Sequence, residues 1–459
     1  MKSTALILAG GQGTRMKSAL PKVLHPVAGK PMIVRIIESC RKADVNDIRV
    51  IVGHGQNLVK TVLEPLAIHT YVQINQLGTA DAVKSADLDS IEDIVIIMNG
   101  DHPLISAQEI KNFISDFREQ KLDVAVVTVE LAEPGEFGRI IRNSNKQLVS
   151  IVEAKDASAE TLKVKEINTG IYVAKAEVLQ KYIPLIQNNN SKKEFYLTDL
   201  IDLGLKDGLK VQVLLSNNVD VAHGVNNQVE LARATKKVFT QYANKLMEGG
   251  VIMIDPATCY IEESVIVGSG SVIYPNVFLR GKTAIGAFSV IESNCMISNS
   301  VIGDSVQIKA GSYIDEVIVK NNASVGPYAR LRPETIIGES AHVGNFVEMK
   351  KVNFGKKSKA GHLTYLGDAE IGEEVNIGCG TITCNYSADK KKYKTVIGDR
   401  VFVGSNTQFV APVTVGNDVL IASGTTVTKA IPDGALALSR TPQVNKEGYA
   451  QKLMKKTES

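Results

Sequence analysis

The sequence predicts an α/β domain, then a linker helix, then a parallel β-helix. Three observations predict it. Over residues 1–225, short apolar runs alternate with longer helical stretches. Gln228–Met247 is charged, rich in helix formers and free of Pro and Gly. After Asp255, aliphatic residues recur every six positions.

The first pattern gives strands at Ala5–Leu8, Ile48–Val52, Ile94–Met98 and Val124–Val129, with helices at Met32–Ala43 and Thr79–Leu88 between them. Such alternation argues a parallel sheet with helices on both faces. Ligands of such sheets bind where strands end, so the loops after Leu8 and Met98 are the places to search. The second pattern reads as one helix over 228–248, stopped by Gly249-Gly250. The third is carried by Ile397, Val403, Phe409, Val415, Ile421 and Val427, and by Val325, Leu331, Ile337 and Val343. A six-residue period fits neither an α-helix nor a simple hairpin sheet. It fits flat faces that each contribute one inward aliphatic per hexad, with Gly at the corners. Three faces per coil make roughly ten coils. A β-sandwich would not hold several hexads in register, and spacing alone leaves the hand of the helix open.

Composition narrows the function. Of 459 residues, 44% are hydrophobic and 22% charged, as in globular chains. A net charge of +3 argues against a dedicated nucleic-acid binder. Five cysteines without a CxxC pair argue against a disulfide framework or zinc site and fit a reducing cytoplasm. The apolar run at the start is too short for a secretory leader and reads as a first strand, and no run approaches a membrane span.

Two loci carry chemistry. Leu8-Ala9-Gly10-Gly11-Gln12-Gly13-Thr14-Arg15 follows the first strand. Its glycines let backbone N–H groups approach a phosphate, and Arg15 with Lys22 supplies cations. The segment is neither a Walker loop nor a Rossmann fingerprint. Asn99-Gly100-Asp101-His102 follows another strand, where the Asp101 carboxylate is placed to hold Mg²⁺ on a nucleotide phosphate. His102 reads as a surface turn residue. In the hexad region, Arg332, His342–Lys351 and Lys359–Asp368 set polar and cationic groups at fixed offsets. A histidine there suits a general base for acyl transfer to an amine.

These motifs resemble a known family. The glycine loop with Leu20-Pro21-Lys22-Val23-Leu24-His25, Gln76-Leu77-Gly78-Thr79, Gly100-Asp101, Glu166–Gly170 and Gly224-Val225-Asn226-Asn227 look like the sugar-1-phosphate nucleotidyltransferases. With the hexads, residues 1 to about 450 resemble the bifunctional bacterial family that joins an N-acetylglucosamine-1-phosphate uridylyltransferase to a glucosamine-1-phosphate N-acetyltransferase. The resemblance implies a Rossmann-like nucleotidyltransferase domain over 1–227, a linker helix over 228–249, and a left-handed β-helix acetyltransferase domain with its tail over 250–459. It implies a cytoplasmic homotrimer, acting on small molecules and on neither nucleic acid nor membrane, that supplies UDP-N-acetylglucosamine for peptidoglycan and lipopolysaccharide. Glucosamine 1-phosphate is acetylated by acetyl-coenzyme A at the C-terminal site. The resulting N-acetylglucosamine 1-phosphate then takes UMP from UTP at the N-terminal one, releasing pyrophosphate.

By position, Leu8, Ala9, Gly10 and Gly11 bind the nucleotide, and Arg15 and Lys22 neutralise the triphosphate. Gln73, Gly78 and Thr79 recognise uracil, while Asn99 and Gly100 adjoin the substrate. Asp101 and Asn226 hold Mg²⁺, and Gly138, Glu153 and Asn168 contact the amino sugar. His362 is the base; Arg332, Lys350, Tyr365 and Asn376 bind the sugar phosphate. Cys379, Asn385, Tyr386, Ser405, Ser423 and Arg440 line the acetyl-coenzyme A site, which lies between subunits. The loop Asn385–Lys394, rich in lysine, reads as a phosphate-binding arm reaching towards a neighbouring subunit. The chain departs from the family at Ala80-Asp81, where Gly-His is usual, at Asn99, where Tyr or Ser is common, and at Cys379 and Ser423, commonly Ala. The tail from Thr441 is expected to cover the cofactor site and fray after about Tyr449.

Overall fold

The computed structural model describes residues 2–190, 192–439 and 441–454. The chain divides into two compact units, Met1–Val238 and Phe239–Ser459.

The first unit is built on a sheet whose strand order is Val211–Leu215, Val124–Glu130, Glu166–Lys175, Ile94–Asn99, Ser3–Ala9, Asp47–Val52 and His69–Val72. Alternate residues of one strand serve two cores. Ile94, Ile96 and Met98 join a cluster with Ile33, Ile36, Phe113 and Phe117 of the helices Met32–Lys42 and Ala107–Glu119. Val95 and Ile97 join another with Val83, Leu179 and Leu200. Two cores separated by one sheet are what helices on both faces require.

The expected all-parallel sheet is corrected. Glu166–Lys175 runs antiparallel to both of its neighbours, Ile94–Asn99 and Val124–Glu130. No helical crossover links it to Val124–Glu130; the chain makes the antiparallel pair Arg139–Arg142 and Leu148–Val152 instead. Without a crossover, the returning strand starts at the end where the previous one stopped. Apolar runs look alike in either direction, so the sequence pattern is silent on this. The helix expected over 79–88 is shorter, Thr79–Lys84: the Ser85 hydroxyl donates to the Asp81 carbonyl at 3.0 Å, and Asp87 turns left-handed with φ 53°.

Gln228–Glu248 is one helix, as its composition predicts, and Gly250 at φ 89° ends it.

The second unit is a left-handed parallel β-helix. Each short strand pairs, in parallel, with the equivalent strand one coil later, as in Ile261↔Leu279 and Ile297↔Ile314. The hexad aliphatics point inward: Val325, Leu331, Ile337, Val343, Val403, Phe409 and Ile421 are fully buried. Corners leave backbone groups outside the strand ladder, and buried hydroxyls take them up. Ser289 Oγ donates to Gly303 O (2.9 Å) and accepts from Val306 N (3.0 Å), one coil on. Where the chain was expected to fray, the structure has a short helix, Tyr449–Met454.

Candidate active sites

The glycine-rich loop leaves the first strand at Ala9. Gly13, with φ 62°, must lack a side chain, because a Cβ there would lie 2.7 Å from Lys22 Cβ. That crossing brings Lys22 across the strand ends. Its ammonium is ion-paired with Asp101 and donates to Asn226 Oδ1 at 2.7 Å. Arg15 donates to the same oxygen at 2.9 Å. Asp101 and Asn226 are held together by the Val225 N–H, which donates to the Asp101 carbonyl (2.9 Å). Asn227 and Glu230 cap the helix that follows (2.9 Å and 2.7 Å).

Burial pushes the Asp101 carboxyl up, but the Lys22 charge, with His102 and several hydrogen bonds, holds it below its ordinary value. His102 is not the surface residue the sequence suggests: it is 5% exposed. Burial, which outweighs the pull of Asp101, and the charge of Lys22 depress its pKa. Its Nε2 lies 3.5 Å from Asp101 Oδ1, an oxygen that is buried and has no hydrogen-bond partner. The donors therefore fit a hard divalent cation. They are one carboxylate with an unsatisfied oxygen and one amide oxygen, and an ammonium already stands between them.

Two cavities open from this point. One of about 280 Å³ is lined by Leu8, Ala9, Gly10, Gly11, Lys22, Gln73, Gly78, Thr79, Asn99 and Asp101, which brings together nearly the whole expected nucleotide set. Gly100 supports it from behind, its N–H donating to the Leu8 carbonyl (2.8 Å). Gln76 and Glu194 line this cavity too, and sequence reasoning gave neither a role; Gln76 sits inside the Gln-Leu-Gly-Thr motif and was legible there. The other cavity, about 340 Å³, gathers Gly138, Glu153 and Asn168 with Tyr172, Lys192 and Tyr196. Asn168 is set by its own amide, which donates to the Tyr172 hydroxyl (2.9 Å) and accepts from Gly170 N (2.9 Å). Burial raises the Glu153 carboxyl, with Lys192 opposing and Asp156, Asp199 and Glu194 adding to the rise.

In the β-helix, the expected residues lie along two edges of one face. Along the first edge, coil after coil, come Asn345, His362, Cys379, Ser405 and Ser423. The His362 ring bonds Asn345 Oδ1 through Nδ1 at 2.8 Å; an amide oxygen only accepts, so Nδ1 carries the proton and Nε2 is left basic. Asn345 falls within 342–351 and the sequence reading assigns it no role, although its offset of 17 residues, one coil, from His362 is visible there. Glycines pave this edge: a Cβ on Gly344 would lie 1.8 Å from Gly361 O, and one on Gly378 2.6 Å from Ser405 N. Cys379 is exposed and free. Asn376 lies one coil past Lys359 on the neighbouring face.

Along the second edge, Arg332 pairs with Glu348 at 2.8 Å, Tyr365 pairs in register with Glu348, and Asn385 is bonded to Asp368. The loop 385–394 folds back on itself through Tyr386↔Lys392 and the Tyr393 N–H to the Asn385 carbonyl (2.8 Å). Lys392, followed by Arg332, depresses the Lys350 ammonium, so these three cations share one locus. Lys392 of the loop thus stands with Arg332 and Lys350 of its own chain. Arg440 lies outside the described residues.

Fold and sites define a transferase of two parts: a nucleotidyltransferase unit and a hexapeptide-repeat unit. The family model for nucleotidyl transferase matches residues 4–222, one for the GMPPB C-terminal domain matches 256–354, and one for bacterial transferase hexapeptide repeats matches 394–429. The chain is 63% identical to the bifunctional protein GlmU of Bdellovibrio bacteriovorus, over 98% of each chain. It is 45% identical to that of Trichlorobacter lovleyi (98% of each) and 44% to that of Pelobacter propionicus (99% of each). The chain belongs to the bifunctional GlmU family. It is an enzyme of UDP-N-acetylglucosamine synthesis with uridylyltransferase and acetyltransferase activities. A nucleotidyltransferase of this family requires a metal, and its hexapeptide repeats are an oligomerising fold. Among the described residues, no helix is long and apolar enough to cross a membrane.

Proposed function

We propose that residues 1–227 carry the uridylyltransferase site and residues 250–459 the acetyltransferase site, joined by the helix 228–249, in a cytoplasmic homotrimer. The observation that carries the N-terminal assignment is the meeting of Lys22 with Asp101 and Asn226 at the mouths of two cavities. UTP occupies the cavity of Leu8–Gly11, Gln73, Gly78 and Thr79. N-acetylglucosamine 1-phosphate occupies that of Gly138, Glu153 and Asn168. Asp101 and Asn226 would hold Mg²⁺, which neutralises phosphate charge when bound. A sugar-phosphate oxygen attacks the α-phosphorus, the bond from that phosphorus to the bridging oxygen breaks, and pyrophosphate leaves. Arg15 and Lys22 take up the charge that accumulates on the leaving group.

At the C-terminal site, His362 Nε2 takes a proton from the glucosamine 1-phosphate ammonium. The freed amine bonds to the thioester carbon of acetyl-coenzyme A, the carbon–sulfur bond breaks, and the second proton of the nitrogen passes to the departing sulfur, which leaves as the thiol. Arg332, Lys350, Tyr365 and Asn376 hold the sugar phosphate, with Lys392 as a third cation. The glycine-paved edge bearing Cys379, Ser405 and Ser423 suits an extended cofactor, flanked by Asn385 and Tyr386; Arg440 is assigned to the same cofactor. The residues assigned to the site are spread over two edges and a neighbouring face of the β-helix, which supports a site completed by a neighbouring subunit.

The test is an assay with glucosamine 1-phosphate, acetyl-coenzyme A, UTP and Mg²⁺, each omitted in turn. Free thiol should need only the first two and pyrophosphate all four. Pyrophosphate release from glucosamine 1-phosphate without acetyl-coenzyme A would overturn the order.

A further inference from the structure

Gln73 follows the strand His69–Val72 and is 5% exposed. Its Nε2 donates to two acceptors, Gly78 O at 3.0 Å and Asp81 Oδ2 at 2.7 Å. A carbonyl and a carboxylate only accept. Turning the amide over would set its oxygen against both, so chemistry fixes its orientation. The remaining atom, Oε1, faces Gly10: a Cβ on Gly10 would lie 2.8 Å from it. Gly10 and Gln73 line the nucleotide cavity with Gly78 and Thr79; Asp81 lies behind them, in the first turn of the helix Thr79–Lys84.

We propose that Asp81 is a positioning residue that sets base choice by locking the Gln73 amide, so that the cavity offers a fixed acceptor to the base. This rests on the reading that Gln73 adjoins the base. Uracil presents a ring N–H to such an acceptor; cytosine presents a bare ring nitrogen, which repels it. A residue that both donates and accepts at position 81, such as asparagine or histidine, removes one of the two acceptors that fix the amide and leaves the Gly78 carbonyl alone to oppose its turning over. The discrimination would then soften. The departure from the usual Gly-His at Ala80-Asp81 thus tightens uridine selection in this chain.

The test measures kcat/KM for pyrophosphate release with UTP and with CTP, at saturating N-acetylglucosamine 1-phosphate and Mg²⁺. The full-length proteins compared are the wild type, Asp81→Asn, Asp81→Glu and Gln73→Ala. Asp81→Asn should lower the UTP-to-CTP ratio about tenfold, the worth of one net hydrogen bond, mostly through loss on UTP. Asp81→Glu, which keeps a carboxylate, should retain most of the ratio. The proposal is overturned if Gln73→Ala collapses the ratio but Asp81→Asn leaves it intact, or if Asp81→Asn weakens both nucleotides equally. If Gln73→Ala itself leaves the ratio unchanged, the placement of Gln73 at the base fails, and this proposal with it.

Discussion

Lys22 and Asn226 are hydrogen-bonded across 204 residues of sequence, and Arg15 reaches the same oxygen across 211. In the β-helix, His362 and Asn345 meet across 17 residues, and Arg332 and Glu348 across 16. The N-terminal unit assembles its site from loops that share only the end of a sheet. The C-terminal unit assembles its site by repetition, since any residue one coil away is a neighbour on the same edge. The first arrangement concentrates charge at one buried point. The second spreads the residues proposed for acetyl transfer over several coils.

The comparison can be broken by variants that should affect one unit only. Asp101→Ala removes the centre of the first arrangement, and pyrophosphate release should fall about a thousandfold while thiol release persists. Loss of both activities would sink the idea of separate sites. His362→Ala should lower thiol release about a hundredfold and leave uridylyl transfer from N-acetylglucosamine 1-phosphate unchanged. Rates unchanged at every pH would remove His362 from the chemistry.

Glycines sharpen the contrast further. At Gly344→Ala the new Cβ meets the backbone of the next coil, so the stability of the β-helix should drop by about 2–3 kcal/mol, read by chemical denaturation. At Gly11→Ala no atom lies within 4 Å, so stability should hold within about 0.5 kcal/mol while KM for UTP rises. The reverse result would show that the glycine-rich loop, not the coil edge, is the packed element.

The smallest effect concerns charge. Burial, with Asp202 nearby, raises the Asp199 carboxyl from 3.8 to about 6. Its ionisation therefore opposes folding, by an amount that grows as pH rises from about 4 to 6 and is full above that. Because Asp199 is only half-buried, solvent screening reduces this to about 1 kcal/mol, so Asp199→Asn should stabilise the N-terminal unit by that much at pH 8 and not at pH 4. Chemical denaturation at the two pH values reads the difference; an equal gain at both would assign it to packing.

The sequence by itself determined whatever is periodic or contiguous. The hexads of Val403, Phe409 and Val415 dictate a coil because each six-residue face must bury one aliphatic. Gln228–Glu248 is a helix because nothing in it breaks one. The glycine loop and Asp101 stand at strand ends because the strands stop there. Only the tertiary structure decided what depends on distant segments meeting. The direction of Glu166–Lys175 turns on the missing helical crossover. The burial of His102 and the lodging of Lys22 between Asp101 and Asn226 turn on how a loop at residue 22 crosses the ends of strands it does not adjoin in sequence. The hydrogen bond from Gln73 to Asp81 spans only eight residues, yet it too waited for the fold. Side-chain direction at a strand end and at a helix start is set by the core packed beneath them, and no local spacing encodes it.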